Sequence, residues 1–191
     1  LLKKRSMAQV LERRAEAVAC AKKNDVELGF VNGGGTGSMH FTSSDPSVTE
    51  LAVGSGFYAP ALFDGYDGLP LAPAAGFALR VTRRPAPSVI TCTGGGYPAS
   101  GPAGVDRLPV PYLPQSLELL PLEGAGEVQT PLRTTDRNAK AARTLKVGDL
   151  VFFRHRKAGE LCERFGELHA FSESERPYVM ATYRGEGRTF T

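Results

Sequence analysis

The apolar positions divide the chain into two stretches with different periods. Met7, Val10, Leu11, Ala15 and Val18 recur at helical spacing, which predicts an amphipathic helix near the start. Ser6 and Gln9 have the spacing of a capping box for its first turn. Lys22 and Lys23 suit a helix C-terminus, where the backbone dipole favours cations, and Asn24 can end it. The run from Val26 to Val31 predicts a short buried strand leading straight into Asn32-Gly33-Gly34-Gly35-Thr36-Gly37-Ser38. Asp45-Pro46 reads as an N-cap followed by proline at the first helical position, with a short helix through Leu51. Val53 to Tyr58 reads as a second strand with a second glycine-rich end, Gly54-Ser55-Gly56. Alternation of helix and strand is α/β behaviour.

After Tyr58 the pattern changes. Gly and Pro become frequent, and apolar runs shorten to Phe77 to Thr82, Val89 to Thr93, Leu117 to Leu120, Val147 to Phe153 and Tyr178 to Thr182. These β-branched and aromatic runs between turn residues predict an all-β domain. Thr134 to Thr144 is polar and basic and reads as a surface loop. The change of character puts a boundary near residues 60–75.

Composition narrows the classes. Over 191 residues, 41% are hydrophobic and 23% charged, ordinary for a folded domain with its own core. The net charge of +3 is small and its basic residues are scattered, so no nucleic-acid partner is expected. Cys20, Cys92 and Cys162 are odd in number and widely spaced, which argues for a reducing, cytoplasmic setting over a disulfide framework. No apolar run approaches the ~20 residues of a membrane span, and no membrane partner is expected. The start, Leu1-Leu2-Lys3-Lys4-Arg5, lacks both an initiator Met and the apolar core of a signal peptide.

The glycine loops carry the candidate chemistry. A phosphate requires converging N–H donors with no side chains in the way, and glycines after a strand allow that approach. Gly34, Gly35, Thr36 and Gly37 form one such loop, and Gly54, Ser55 and Gly56 another one element later. A plain tight turn accounts for either loop equally well when taken alone. No Gly-Lys-Ser/Thr ending makes the first a P-loop, and Ser38 stands where a dinucleotide fingerprint needs its third glycine.

Three stretches outside these loops complete a recognisable set: Glu123 to Thr130, Phe153 to Phe165 (FRHRKAGELCERF), and Thr182 to Gly187. With Val31 to Ser38, Val48 to Leu51 and Gly54 to Gly56, they resemble the amino acid deaminase/aldolase proteins of the D-threonine aldolase and D-serine dehydratase group. The resemblance implies an alanine racemase-type fold, α/β plus all-β. Residues 1–68 would be the end of a β/α (TIM-type) barrel binding pyridoxal phosphate, and 69–191 a D-serine dehydratase-like C-terminal β domain. It implies lyase chemistry on small-molecule β-hydroxy D-amino acids, either aldol cleavage or dehydration, and leaves open a homodimer of the complete enzyme. Gly34, Gly35, Thr36, Gly37, Gly54, Ser55 and Gly56 would hold the cofactor phosphate, with Tyr58 packed nearby.

Two departures qualify the expectation. The family's Schiff-base lysine lies on an early barrel strand, and Lys3, Lys4, Lys22, Lys23, Lys140, Lys146 and Lys157 do not lie in that context. The chain therefore reads as the C-terminal half of such an enzyme, inactive alone. The family also places a divalent metal, zinc or manganese, on a His-x-Cys or His-x-Asp pair in the β domain. Here the matching positions are His155 and Lys157, and a protonated lysine supplies charge instead of a lone pair. His155 and Lys157 are the catalytic candidates, and His155 with Cys162 is a weak metal pair. His40 and His155 also read simply as a loop histidine and a strand-end histidine bonded to backbone. Glu160 and Glu163 read as loop fasteners or as an acid/base pair, and Asp106-Arg107 as a surface pair. Gly94-Gly95-Gly96 reads as a bulge or a close backbone approach. The alternative function is a non-catalytic module for phosphorylated ligands.

Overall fold

The computed structural model describes residues 2–102, 104–136, 138–157 and 159–188. The chain forms two compact units: one runs to Phe57 and takes up Tyr66–Pro70, and the other comprises Tyr58–Gly65 and the chain from Leu71 onward.

In the first unit, α1 (Leu2–Lys23) is followed by β1 (Asn32–Gly34), α2 (Met39–Thr42) and β2 (Glu50–Ala52). The helix starts earlier than its expected cap, so Ser6 and Gln9 lie inside it. Met7, Leu11 and Val18 are half-buried on one face together with Arg14 and Ala21, whereas Val10 and Ala15 point outward. Lys22 and Lys23 close the last turn, and Asn24 follows with its N–H on the Cys20 carbonyl.

Strand formation begins later than Val26. Val26, Leu28 and Phe30 are exposed, and the ladder starts at Asn32, where β1 meets β2 in parallel register from Asn32 opposite Glu50 to Gly34 opposite Ala52. Apolar character alone does not make a strand; the backbone groups need a partner, and only this short segment has one. The Asp45-Pro46 helix is likewise replaced. Asp45 Oδ1 accepts the Ser47 N–H at 2.9 Å and its hydroxyl at 2.6 Å, a local turn in which the cap bond forms without a helix to cap. The N–H groups of Thr49 and Glu50 then go to the Val31 carbonyl, and Leu51 sits inside β2. Asp45 also pairs with Arg14 of α1. The strand expected over Val53 to Tyr58 is a 3-10 turn at Ser55–Phe57.

The second unit is built on a six-stranded antiparallel sheet. Its strands are β3 (Phe77–Ala86), β4 (Val89–Thr93), β5 (Val110–Leu113), β6 (Leu117–Leu119), β7 (Gln129–Thr134) and β8 (Leu150–Arg154). Their order is β5-β8-β3-β4-β7-β6. The end strands β5 and β6 approach each other, so the sheet curls nearly into a closed barrel. The helices α3 (Lys140–Thr144) and α4 (Gly159–Arg164) and a separate hairpin of β9 (Glu167–Ala170) and β10 (Tyr178–Ala181) complete the unit. The surface loop expected at Thr134 to Thr144 thus contains α3, whose Ala142 enters the core.

The core follows from alternation along β3. Phe77, Leu79 and Val81 point inward while Ala78, Arg80 and Thr82 point outward. Phe77 lies directly opposite Phe153 of β8, with ring centroids 5.4 Å apart and planes 7° from parallel. Ile90, Cys92, Leu132 and Val151 fill the same interior, and Leu161 of α4 covers one side. Gly94 to Gly96 make a close backbone approach: a Cβ on Gly96 would stand 2.6 Å from the Glu127 nitrogen. At the end of β8 the buried Arg154 guanidinium grips Asp64 through two hydrogen bonds of 2.7 and 2.8 Å and donates to the Ala59 carbonyl at 2.9 Å. That clasp holds the 3-10 turn Ala61–Gly65 against the sheet.

Leu132 is fully buried at the centre of β7. Leu132→Ala is expected to lower unfolding free energy by about 2–5 kcal/mol, through lost transfer energy and the cavity left behind. A urea unfolding series measures it; a loss under ~1 kcal/mol would mean that the interior is not packed as described.

Candidate functional site

Each unit brings together part of the expected chemistry. In the first, β1 ends in the glycine loop. A Cβ on Gly34 would run into the Ala52 backbone, and Gly34 has φ 156°, so the two strands close only with glycine there. Gly35 has φ 91° and gives its N–H to the Ala52 carbonyl at 2.8 Å. Thr36–Ser38 then forms a 3-10 turn, and the buried Thr36 hydroxyl meets the Ser55 hydroxyl at 3.0 Å. This bond ties the loop after β1 to the loop after β2. Gly37 packs under the Tyr66 ring, with room for no Cβ.

The mouth between the loops is open. A Cβ on Gly54 would meet nothing within 4 Å, and one on Gly35 only the Ser38 hydroxyl at 3.7 Å. The seven residues singled out in sequence thus converge from two adjacent strand ends. The leading N–H groups of the two turns, the uncovered faces of Gly35 and Gly54 and the paired hydroxyls suit a small oxyanion such as a phosphate. Tyr66, supplied by a distant segment, had no sequence signal. His40 is exposed on α2 and lies against Phe41.

In the second unit, His155 follows β8 and is only 4% exposed. Neither ring nitrogen has a hydrogen-bond partner. Burial lowers its pKa from 6.5; the Glu160 carboxylate and the Ala75 backbone, which stops short of hydrogen-bond geometry, oppose that, and Arg154 adds to it. Tyr58 stands edge-on to the imidazole at 6.1 Å, and its hydroxyl meets Cys162 Sγ at 3.3 Å. That thiol contact, with burial, pushes the phenol up to about 12. Lys157 points its ammonium at the Ser100 carbonyl, 2.7 Å away. Glu160 Oε1 accepts the Ser100 N–H at 2.9 Å, while its Oε2 is buried without a partner. Asp106 and Arg107 form the surface pair read from sequence. Among the described residues, no group of three or more His, Cys, Asp or Glu side chains converges to hold a metal ion.

Among the described residues no helix is long and apolar enough to cross a membrane. No family model and no curated protein matches the sequence. The fold class, a mostly β chain with a curled antiparallel sheet, does have a solved counterpart. The chain is similar in structure to D-threonine aldolase from Filomicrobium marinum, with a TM-score of 0.74 and 17% sequence identity over 94% of this chain. It spans 48% of the length of that protein. At this identity the likeness establishes a shared fold.

Two outcomes follow. Gly34→Ala should abolish cooperative unfolding of the first unit, whereas Gly54→Ala should leave it unchanged; thermal melts of both variants test this. As pH falls below 6.5, the unfolded chain takes up a proton that folded His155 resists, so stability should decline as the medium acidifies. Urea midpoints at neutral and mildly acidic pH, beside His155→Gln, measure it. An equal decline in the variant would assign the acid sensitivity to other groups.

Proposed function

We propose that this chain forms the phosphate-holding loops and the β domain of a pyridoxal-phosphate-dependent lyase. Its substrates would be β-hydroxy D-amino acids, as in a D-threonine aldolase or D-serine dehydratase. The observation that carries the reading is the pair of glycine loops joined through Thr36 and Ser55, in a chain that shares its fold with a D-threonine aldolase over nearly its whole length. On this reading the helix and parallel strands of the first unit belong to the closing segment of a β/α barrel.

The residues fit the cofactor's phosphate. Gly35 and Gly54 leave the space, and the N–H groups of Thr36, Gly37, Ser55 and Gly56, at the heads of their turns, supply donors. The Thr36–Ser55 pair adds a hydroxyl proton. Bound there, pyridoxal phosphate would supply the electron sink that lets a bond at the amino acid's α-carbon break. The protein's part at this end is positional: it fixes the phosphate and hence the direction of the ring. In the second unit, burial holds His155 toward its neutral form, which can accept a proton, and Lys157 brings an amine group held at the Ser100 carbonyl. These are the acid/base and electrostatic roles assigned to them.

The first unit's lysines are not poised for covalent attachment. Lys3 lies over the Phe41 and Tyr66 rings at 5.5 and 5.4 Å, and Lys4, Lys22 and Lys23 are exposed on α1. Titration with pyridoxal phosphate should show weak, reversible binding that Thr36→Val or Gly35→Ala diminishes. Borohydride reduction and peptide mapping should label no lysine in preference to the others. One lysine labelled stoichiometrically would overturn the assignment of roles, and binding unaffected by both variants would remove the cradle from the proposal.

A further inference from the structure

One polar pair in the second unit is unexplained by the fold. His155 is buried with both ring nitrogens unpartnered, and Glu160 Oε2, on the first turn of α4, is buried and unpartnered as well. Leaving a buried donor or acceptor unmet is costly, so orphan groups that line one cavity call for a common partner. Both residues line the same small cavity. Its other walls are largely apolar, from Phe77, Tyr97, Ala99 and Phe165. It offers ≈ 10 Å³ to the centre of a water molecule, about the room that one buried water occupies.

The neighbouring charged groups are already engaged. Arg156 Nε donates to the Asp106 carbonyl at 2.8 Å, and Arg154 is held by Asp64. Arg164 lies over the Tyr97 ring at 5.2 Å and reaches the Pro98 carbonyl at 3.4 Å. Tyr58 and Cys162 bond to each other. Glu160 Oε1 is fixed by the Ser100 N–H, which orients the free oxygen. Arg107 Nε and Arg154 Nε are also buried without a partner, but neither residue lines this cavity. Within its lining, the unpartnered buried groups are one carboxylate oxygen and one imidazole that offers a donor on one nitrogen and an acceptor on the other.

We propose that this cavity binds one water molecule, which donates to Glu160 Oε2 and hydrogen-bonds the His155 imidazole, joining the two as a single buried acid–base unit. The water fixes the imidazole tautomer and gives its proton a route to the carboxylate. Glu160 is then a positioning residue that acts through His155, and the last turns of β8 and α4 are coupled by a solvent molecule. The proposal rests on the second unit alone and does not depend on pyridoxal phosphate being the cofactor.

The test uses the full chain and its three histidines, of which His40 and His169 are exposed and serve as internal references. A high-resolution crystal structure should show one ordered water within hydrogen-bond reach of Glu160 Oε2 and a His155 nitrogen. In solution, water-to-imidazole cross-relaxation should single out His155, and its nitrogen shifts should report one fixed tautomer. Glu160→Gln should lower the His155 titration midpoint by about one pH unit or more, as loss of a near carboxylate does, without moving those of His40 and His169. Ala99→Val, which fills the cavity, should remove the cross-relaxation and release the single tautomer. A dry cavity, a direct contact between His155 and Glu160, or a His155 midpoint unchanged in Glu160→Gln would overturn the proposal. If either variant does not fold, the crystal structure and the cross-relaxation of the wild-type chain decide it alone.

Discussion

The contact on which the second unit depends is the stack of Phe77 on Phe153 across the β3–β8 ladder. Those rings set the register of the two central strands, and that register decides which side chains face inward along both. Phe165 stacks on Phe77 at 5.6 Å, and Tyr97 meets both edge-on, so the turn after α4 and the segment after β4 are fixed by the same rings. Arg154 and His155 come next along the chain. The clasp on Asp64 and the buried imidazole are therefore placed by an aromatic stack one and two residues away.

In the first unit the governing constraint is the absence of side chains. β1 and β2 approach each other at Gly34 so closely that any Cβ would separate them, and their pairing brings the two glycine loops to one end. The ladder is only three residues long, and the flanking bonds add to it. Asn32 pairs with Glu50, the Val31 N–H reaches the Thr49 hydroxyl, and Arg14 of α1 holds Asp45. A short parallel pair has little stability of its own, and much of its definition comes from these side-chain ties.

Legibility in the sequence tracked how local each signal was. The alternation Phe77-Leu79-Val81 and the run Val89 to Thr93 state their strands directly, and the change of period after Tyr58 announces a β-rich unit. β7 carries a weaker signal because Pro131 interrupts it, and α4 because six residues show too little period. Val26 to Val31 misled in the other direction: its residue types favour a strand, but pairing depends on a neighbour that sequence does not display. The glycine loops are readable because each is written in consecutive residues. The neighbourhood of His155 was not, since Tyr58, Ser100 and Glu160 reach it from separate segments.

The Thr36–Ser55 bond has one more consequence. Two hydroxyls in contact share two protons, and one of these is always spent between them. The pair thus presents a single outward proton, which either residue can deliver by reversing the direction of the shared bond. The two loops thus share one reversible donor with a choice of two positions.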